Sequence, residues 1–231
     1  RVDRRQRQMC IRDRDYAKAK EYFEGDNPAA WKGVLKPLLP MPSKVQTKKH
    51  HAALPYKDAG SFMAELRQRA GISARALEFS ILTVARSGEI RGAEWCEIDL
   101  DAKTWIIPAE RMKAAKEHRV PLSDTAVELL KALPRFTDNN LVFPAPRGGQ
   151  LSDMSLTAVL KRMGRSDLTQ HGFRSTFREW AGETTSYQRE VIEHALAHQL
   201  ADKAEAAYQR GTLWPKRVAL MDDWTSYCSV A

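Results

Sequence analysis

The sequence is poor in the features that mark secreted, membrane-spanning and metal-binding proteins. Its 231 residues contain only three cysteines, which lie far apart at Cys10, Cys96 and Cys228. This spacing provides no metal-ligand pair and predicts reduced thiols, as in a cytosolic protein. No apolar run approaches the roughly 20 residues that a membrane span needs, and no apolar signal-peptide core follows the charged start. The composition therefore favours a globular protein of the cytoplasm that does not contact a membrane.

Positive charge is in excess but unevenly distributed. The formal net charge is +8 and the isoelectric point is about 9.5. Residues 1–50 hold 13 lysines and arginines against 6 acidic residues, whereas residues 51–231 hold 24 against 23. A basic protein often binds an anionic partner such as nucleic acid, yet a basic first segment is equally well explained by solvated charge. Charge alone therefore leaves the partner open.

Composition divides the chain into three regions. Residues 1–14 carry six arginines and no amphipathic periodicity, so we expect a disordered or non-native tail. Residues 15–53 contain a short helical pattern, then several prolines and a polar, basic stretch, which is typical of a linker. We interpret this region as the remnant of a helical domain plus its linker. Residues 54–231 are long enough for one domain with its own core.

The hydrophobic periodicity of residues 54–231 predicts the fold class. Short β-favouring runs occur at 98–100, 104–107 and 118–122, and a lysine-rich connection separates the second from the third. Helical spacing is predicted on both sides of these runs. The predicted helices are 56–69, 74–85, 89–95, 126–133, 155–163, 171–181, 188–197, 203–209 and 216–227. The sequence therefore predicts a mainly α fold with a small three-stranded antiparallel β-sheet, an α+β class.

Residues 170–210 contain the side chains with the most chemical potential. His171 and Arg174 are spaced to share one face of a helix, where a guanidinium can hold a phosphate and an imidazole can move a proton. His198 and Tyr208 follow. A tyrosine, whose ordinary pKa is about 10, is a nucleophile only beside cations or a base. Taken singly, each of these residues is more simply explained by packing or by a solvated helix face.

Three upstream residues could complete such a site. Arg86 comes just before a predicted junction between helices, and Glu89 is spaced to pair with it. Lys113 lies on the predicted hairpin, where a lysine can reach a leaving oxygen and donate a proton. Lys116 is a rival for that role. Without context, an ion pair is the better explanation of Arg86 and Glu89, and a solvated turn is the better explanation of the lysines.

The order of these residues resembles the catalytic set of the tyrosine recombinase (phage integrase) family. The resemblance covers roughly residues 54–231 and is carried by several stretches rather than by one motif. Residues 82–90 resemble the first arginine box, 108–121 the lysine hairpin, 170–177 the HxxR box, 196–198 the second histidine and 206–210 the tyrosine box. The sequence is most similar to prophage and genomic-island integrases of the P4 type. The resemblance implies the tyrosine recombinase catalytic domain fold in a bacterial, nucleoid-associated protein.

The family's chemistry implies a role for each matching residue. Tyr208 would attack a DNA phosphodiester and form a 3′-phosphotyrosyl bond, and religation would complete integration or excision of a mobile element. Lys113 would protonate the departing 5′-oxygen. The other assignments are two arginines that hold the phosphate, two assisting histidines and an orienting carboxylate: Arg86, Arg174, His171, His198 and Glu89. No metal and no cofactor are implied. The partners would be double-stranded attachment-site DNA and three further copies of the chain, in a homotetramer formed through the last helix, 216–227.

Two alternatives remain open at this point. A type IB topoisomerase-like enzyme would use similar groups to nick and close one duplex without a tetramer. A truncated, non-catalytic chain would only bind DNA, and residues 15–53 would then be all that is left of the family's core-binding domain. The last helix distinguishes a recombinase from the topoisomerase-like enzyme. Its apolar residues suit packing against a neighbouring protomer, as in a recombinase tetramer: Val218, Leu220, Met221 and Trp224.

Overall fold

The computed structural model describes residues 2–22, 24, 25, 27, 28, 30, 35–38, 52–198 and 212–230. The chain divides into two compact units, Arg1–His50 and His51–Ala231. In the first unit, helix α1 spans Val2–Ala19, and the side chain of Asn27 donates hydrogen bonds to Ile11 O and Asp15 Oδ1. We expected disorder or a foreign tail through residue 14. The absence of proline and glycine from residues 1–24 allows a helix there without an amphipathic stripe.

The second unit is mainly helical, as the periodicity predicts. Its described helices are α2 (Ala59–Arg67), α3 (Ile72–Leu82), α4 (Ser87–Arg91), α5 (Asp124–Lys131), α6 (Ser155–Arg162), α7 (Gly172–Thr184), α8 (Arg189–Ala195) and α9 (Trp214–Tyr227). Ser123 caps α5 by accepting a hydrogen bond from the backbone of Ala126. None of the described helices is long and apolar enough to cross a membrane. The predicted helix at 203–209 lies outside the described residues.

The predicted small sheet is also confirmed. Strands β1 (Ile98–Asp99), β2 (Thr104–Ile107) and β3 (His118–Pro121) form an antiparallel sheet in the order β1-β2-β3. Its register pairs Ile107 with His118, so the hairpin that carries Lys113 leaves and re-enters the sheet at that pair. Trp105 is fully buried against Phe79 of α3. The sheet is thereby fixed to the helical core, and its hairpin projects from a rigid base.

Helix α9 packs within its own domain, which differs from our expectation. Leu220, Met221 and Trp224 are at most 2% exposed. The Trp224 indole donates a hydrogen bond of 2.9 Å to Ile81 O and packs against two rings of α7, edge-on against Phe177 and tilted against Trp180. These side chains are therefore unavailable to a neighbouring protomer in this arrangement. The apolar character of α9 is explained by the core of the same chain.

The first turn of α7 requires glycine because another part of the chain crosses it. A Cβ atom on Gly172 would lie 2.0 Å from Ala52 O and 2.9 Å from its carbonyl carbon. Close by, Thr176 Oγ1 donates a 2.6 Å hydrogen bond to Leu54 O. The segment that begins at Ala52 is thus held directly over the helix that carries Arg174.

This contact predicts opposite effects for two glycine-to-alanine substitutions in one helix. Gly172→Ala forces the crossing segment away and is expected to destabilise the domain by about 2–3 kcal/mol. Gly182→Ala, also in α7 but with nothing within 4 Å of the added methyl, is expected to stabilise it by up to about 1 kcal/mol. Urea unfolding midpoints measure both changes. Equal stability of the Gly172→Ala protein and the wild type would contradict the described contact.

Candidate active site

Arg86 is fixed at the start of α4 by the carboxylate of Glu89. The Arg86 backbone is extended, with φ −78° and ψ 152°, and its amide donates to Glu89 Oε2 at 2.7 Å. The guanidinium also donates, from Nη1, to Glu89 Oε1 at 2.8 Å. Glu89 is buried, whereas the Arg86 side chain is 24% exposed. The Glu89 carboxylate thus holds one edge of the Arg86 guanidinium, and the rest of the guanidinium is partly accessible to a ligand.

Arg174 is a buried cation held by backbone carbonyls. It is 4% exposed, and its guanidinium donates to Val84 O and, at 2.5 Å, to Leu196 O. Burial, and then the charge of Arg86, lowers the pKa of Arg174 to about 10, so it is still protonated at neutral pH. Its Nε has no hydrogen-bond partner among the described atoms. The carbonyl dipoles and the charges of Glu89 and Glu193 favour the protonated guanidinium, so a cation is kept in a buried position.

The two arginines meet at one turn of backbone, although they are far apart in sequence. Arg86 Nη2 donates to Leu196 O at 3.4 Å and to Ala197 O at 3.1 Å, so Leu196 O accepts from both guanidiniums. Val84 and Ala197 have left-handed backbone conformations, with φ of 49° and 48°. Such a conformation costs a non-glycine residue about 1–2 kcal/mol. These two backbone conformations orient the carbonyls of Val84 and Ala197 toward the arginines.

His198 is tied to the same group. Its Nε2 lies 3.3 Å from Arg174 Nη2, and its Nδ1 lies 2.6 Å from Glu193 Oε2. Because the arginine can only donate, Nε2 accepts and the ring carries its proton on Nδ1. Burial is the largest effect on His198 and lowers its pKa. Burial would raise the pKa of Glu193, but the hydrogen bond from His198 and the charge of Arg178 outweigh it and lower the pKa.

The lysine hairpin faces these residues across a cavity of about 320 Å³, lined by Arg86, Lys113, Ala114, Ala197 and His198. Arg111 fixes the base of the hairpin, because its guanidinium bonds the Glu97 carboxylate and donates to Glu89 O. Lys116 is exposed and does not line the described cavity. The geometry therefore favours Lys113 over Lys116 as the lysine nearest a bound phosphate.

The two remaining predicted site residues are His171 and Tyr208. His171 is exposed and occupies the N-cap position of α7, one turn before Arg174. The described contacts do not place its imidazole in the cavity, although its backbone carbonyl accepts from the amide of Arg174. Tyr208 lies outside the described residues. The structure therefore brings together Arg86, Lys113, Arg174 and His198, with Glu89 behind them.

Three supporting residues escaped the sequence analysis. Glu193 precedes His198 by a spacing that could have marked it as a partner, and Arg111 stands beside the lysine hairpin, but each resembles an ordinary surface charge in sequence. His118, at the start of β3, has no sequence feature that indicates a role in the site. Burial, then the charges of Arg217, Arg86 and Arg174, lowers its pKa to about 3. A neutral histidine thus lies among three arginines.

Comparisons with known proteins identify the relatives of this chain. A family model described as the phage integrase family matches residues 53–211. The integrase of Enterobacteria phage P4 is 30% identical over 233 residues, which cover 92% of this chain and 51% of that protein. Prophage integrase IntZ of Escherichia coli K12 is 34% identical over 191 residues, which cover 78% of this chain and 46% of that protein. The chain thus spans about half the length of these curated relatives.

Solved structures share the fold at low sequence identity. The integrase from mycobacterium phage Brujita has a TM-score of 0.57 at 18% identity and covers 94% of this chain and 69% of that one. A lambda integrase tetramer bound to a Holliday junction has a TM-score of 0.58 at 15% identity, covering 85% of this chain and 58% of that one. A lambda integrase dimer, residues 75–356, bound to a COC′ core site has a TM-score of 0.57 at 16% identity. The match covers 89% of this chain and 71% of that one.

Proposed function

Because the chain belongs to the phage integrase family, we propose that residues 54–231 are the catalytic domain of a site-specific DNA recombinase. The enzyme integrates or excises a mobile element by attack of a tyrosine on a DNA phosphodiester. One observation carries the proposal: Arg86 and Arg174 donate to the same carbonyl, Leu196 O, beside His198 and across a cavity from Lys113. Two cations thus converge where a phosphate could bind.

Each predicted site residue has a chemical task in this reaction. The guanidiniums of Arg86 and Arg174 hold the non-bridging oxygens and stabilise the charge that develops on the pentacoordinate phosphorus. His198, with Nε2 unprotonated and Nδ1–H held by Glu193, can take the phenolic proton of Tyr208. The Tyr208 oxygen forms a bond to phosphorus as the bond to the 5′-oxygen breaks, and Lys113 gives that oxygen its proton. His171 assists through a hydrogen bond to the phosphate.

The reaction stores its energy in the protein–DNA bond. The phosphotyrosyl bond that forms replaces the phosphodiester bond that breaks, so a free 5′-hydroxyl can reverse the step and join the strand to a new partner. The side chains named above balance the charges and protons of both steps. The proposed substrate is double-stranded attachment-site DNA, and the proposed assembly is a tetramer on that DNA. Residues 15–53 are proposed to be the end of a core-binding domain and its linker.

A covalent-adduct assay tests the proposal. A duplex with a nick just beyond the scissile phosphate loses its short 5′-hydroxyl fragment on cleavage, so the adduct accumulates. We expect the wild-type chain to give an adduct stable to denaturing electrophoresis and the Tyr208→Phe chain to give none while it still binds the duplex. Binding is compared at low salt, because phosphate contacts weaken steeply with salt. No adduct from the wild type, with DNA binding retained, would favour a non-catalytic DNA-binding chain.

The burial of α9 within its own domain favours one second candidate, a type IB topoisomerase-like nicking and closing enzyme. Such an enzyme needs no exchange of helices between protomers. Supercoiled plasmid without an attachment site distinguishes the two: a nicking and closing enzyme relaxes it as a monomer. A recombinase instead joins strands only between matching sites.

A further inference from the structure

Arg217, in the first turn of α9, is a buried arginine without an acidic partner in the described part of the chain. It is 3% exposed, and its Nε has no hydrogen-bond partner among the described atoms. Burial, then the charge of Arg119, lowers its pKa to about 10. Burying an uncompensated guanidinium is unfavourable. Such a residue therefore calls for an explanation other than the stability of the helix.

The contacts of Arg217 join α9 to strand β3. Its Nη2 donates a hydrogen bond to Arg119 O. Its guanidinium also lies 5.6 Å from the ring centroid of Trp214, and that of Arg119 lies 4.8 Å from the same ring. The sheet end of this contact is rigid, because β3 is paired along its length with β2. Arg217 thus fastens the first turn of α9 to the strand that follows the lysine hairpin.

The same strand reaches the arginines of the candidate site. His118 precedes Arg119, and the charges of Arg217, Arg86 and Arg174 all act on its imidazole. The backbone of Ala195, which immediately precedes the carbonyl shared by the two arginines, also interacts with this ring. The anchor of α9 is therefore built onto the element that borders the candidate phosphate site.

The position of this anchor in the chain indicates what it holds. Tyr208 comes a few residues before α9, and an extended residue spans at most about 3.6 Å. The start of α9 therefore limits how far the tyrosine can lie from the site. The rest of α9 has an anchor of its own in the buried Trp224, so loss of Arg217 would release the first turn and leave the core packed.

We propose that Arg217 is a positioning residue: it fastens the first turn of α9, the helix that follows Tyr208 in sequence, to strand β3 beside the arginine pair, and the rate of attack by Tyr208 depends on this contact. This inference rests on the proposed function. In this proposal, Arg217 helps to place the attacking oxygen of Tyr208 and has no part in the departure of the 5′-oxygen. Arg217 acts through the backbone of Arg119 and does not line the described cavity.

Two substrates separate attack from departure. In a 5′-bridging phosphorothiolate the leaving atom is sulfur, which departs without a proton from Lys113 because a thiol is more acidic than an alcohol. Arg217→Met should slow single-turnover adduct formation on the order of 100-fold, as expected for a misplaced reacting group, and by the same factor on both substrates. Lys113→Ala should form the adduct slowly on the ordinary substrate but not on the phosphorothiolate. Arg217→Lys, which keeps the charge and a donor, should recover part of the loss.

The controls separate positioning from folding. Lys216→Met removes an exposed cation from the same turn and should leave the adduct rate within about threefold of the wild type, as expected for a substitution at an exposed position. Thermal unfolding is recorded for every variant, and rates are compared below each transition. The proposal is overturned if folded Arg217→Met forms adducts at the wild-type rate. It is equally overturned if the phosphorothiolate restores that variant.

Hydrogen exchange tests the anchor independently of activity. Arg217→Met should speed exchange of the amides of residues 217–220 about tenfold or more and leave those of residues 104–107 in β2 unchanged. Unchanged exchange at 217–220 would refute the anchor even if Tyr208 is the nucleophile. If the wild type forms no adduct, the proposed function fails, and the exchange result still decides whether Arg217 holds α9.

Discussion

Replacing Arg174 with methionine is expected to slow formation of the covalent DNA adduct by on the order of 1,000-fold. The guanidinium is the more buried of the two that converge on Leu196 O, and burial strengthens its interaction with a phosphate that displaces the remaining water. Methionine fills a similar volume but donates no hydrogen bond. The charge that develops on the phosphate would then be met by Arg86 alone.

The same substitution should also reduce stability, so the rate must be separated from folding. The carbonyl of Val84 loses its donor, and an unpaired buried carbonyl costs about 1–3 kcal/mol. The carbonyl of Leu196 loses one donor but keeps the hydrogen bond from Arg86. Relief of the buried charge offsets part of that loss. Single-turnover rates should therefore be measured well below the unfolding transition. Arg174→Lys should restore more of the stability than of the rate, because one ammonium cannot reproduce the planar fork.

Arg178→Met is the matched control from the same helix. Arg178 is mostly exposed and pairs with Glu193, which in turn holds His198. Its loss should lower the rate less than tenfold, since it acts only through that pair. A folded Arg174→Met protein that keeps its rate within tenfold of the wild type would show that Arg174 serves only to organise the backbone.

Replacing Lys113 with alanine is expected to lower the same rate on the order of 100- to 1,000-fold, the range of general acid catalysis. The lysine lies on a hairpin whose base is fixed by Arg111 and whose tip faces Arg86 and His198. Without it, the 5′-oxygen would leave as an alkoxide. A substrate with sulfur in the bridging position should recover most of the rate, because a thiolate leaves without protonation.

Lys116→Ala is the control for that experiment. Both lysines are exposed on one hairpin, but only Lys113 lines the described cavity. The Lys116→Ala chain should therefore cleave both substrates at close to the wild-type rate. If Lys116→Ala were slow and the sulfur substrate restored it, the role of general acid would pass from Lys113 to Lys116.

The sequence predicted the fold well because its signals were local. The β-favouring runs at 104–107 and 118–122 and the helical spacing elsewhere are set by neighbouring residues, and the observed strands and helices follow them closely. Capping of α5 by Ser123 is equally local. The apolar face of α9 was different. Its pattern shows that Leu220 and Trp224 must be buried but not against what, and the structure buries them in the same chain.

The candidate site was predictable only in part for a related reason. The spacing of Arg86 and Glu89 predicts their pairing, which the structure contains. The meeting of Arg86 and Arg174 at Leu196 O depends on backbone carbonyls, which carry no sequence signal, and on left-handed conformations at Val84 and Ala197 that neither residue favours. His118 and Arg217 gain their significance from burial beside these arginines, and burial of single charged residues in a strand or helix is not visible in a pattern.

The central claim is that Tyr208 is the nucleophile, and mapping of the covalent adduct tests it most directly. The adduct from a nicked duplex is digested with nuclease and then with trypsin, which cuts after Lys203 and Arg210 and releases residues 204–210 with a single tyrosine. Mass spectrometry should find this peptide carrying a nucleotide through a 3′-phosphotyrosyl bond. A nucleotide attached to any other peptide, or wild-type protein that stays unmodified while it binds the duplex, would contradict the account.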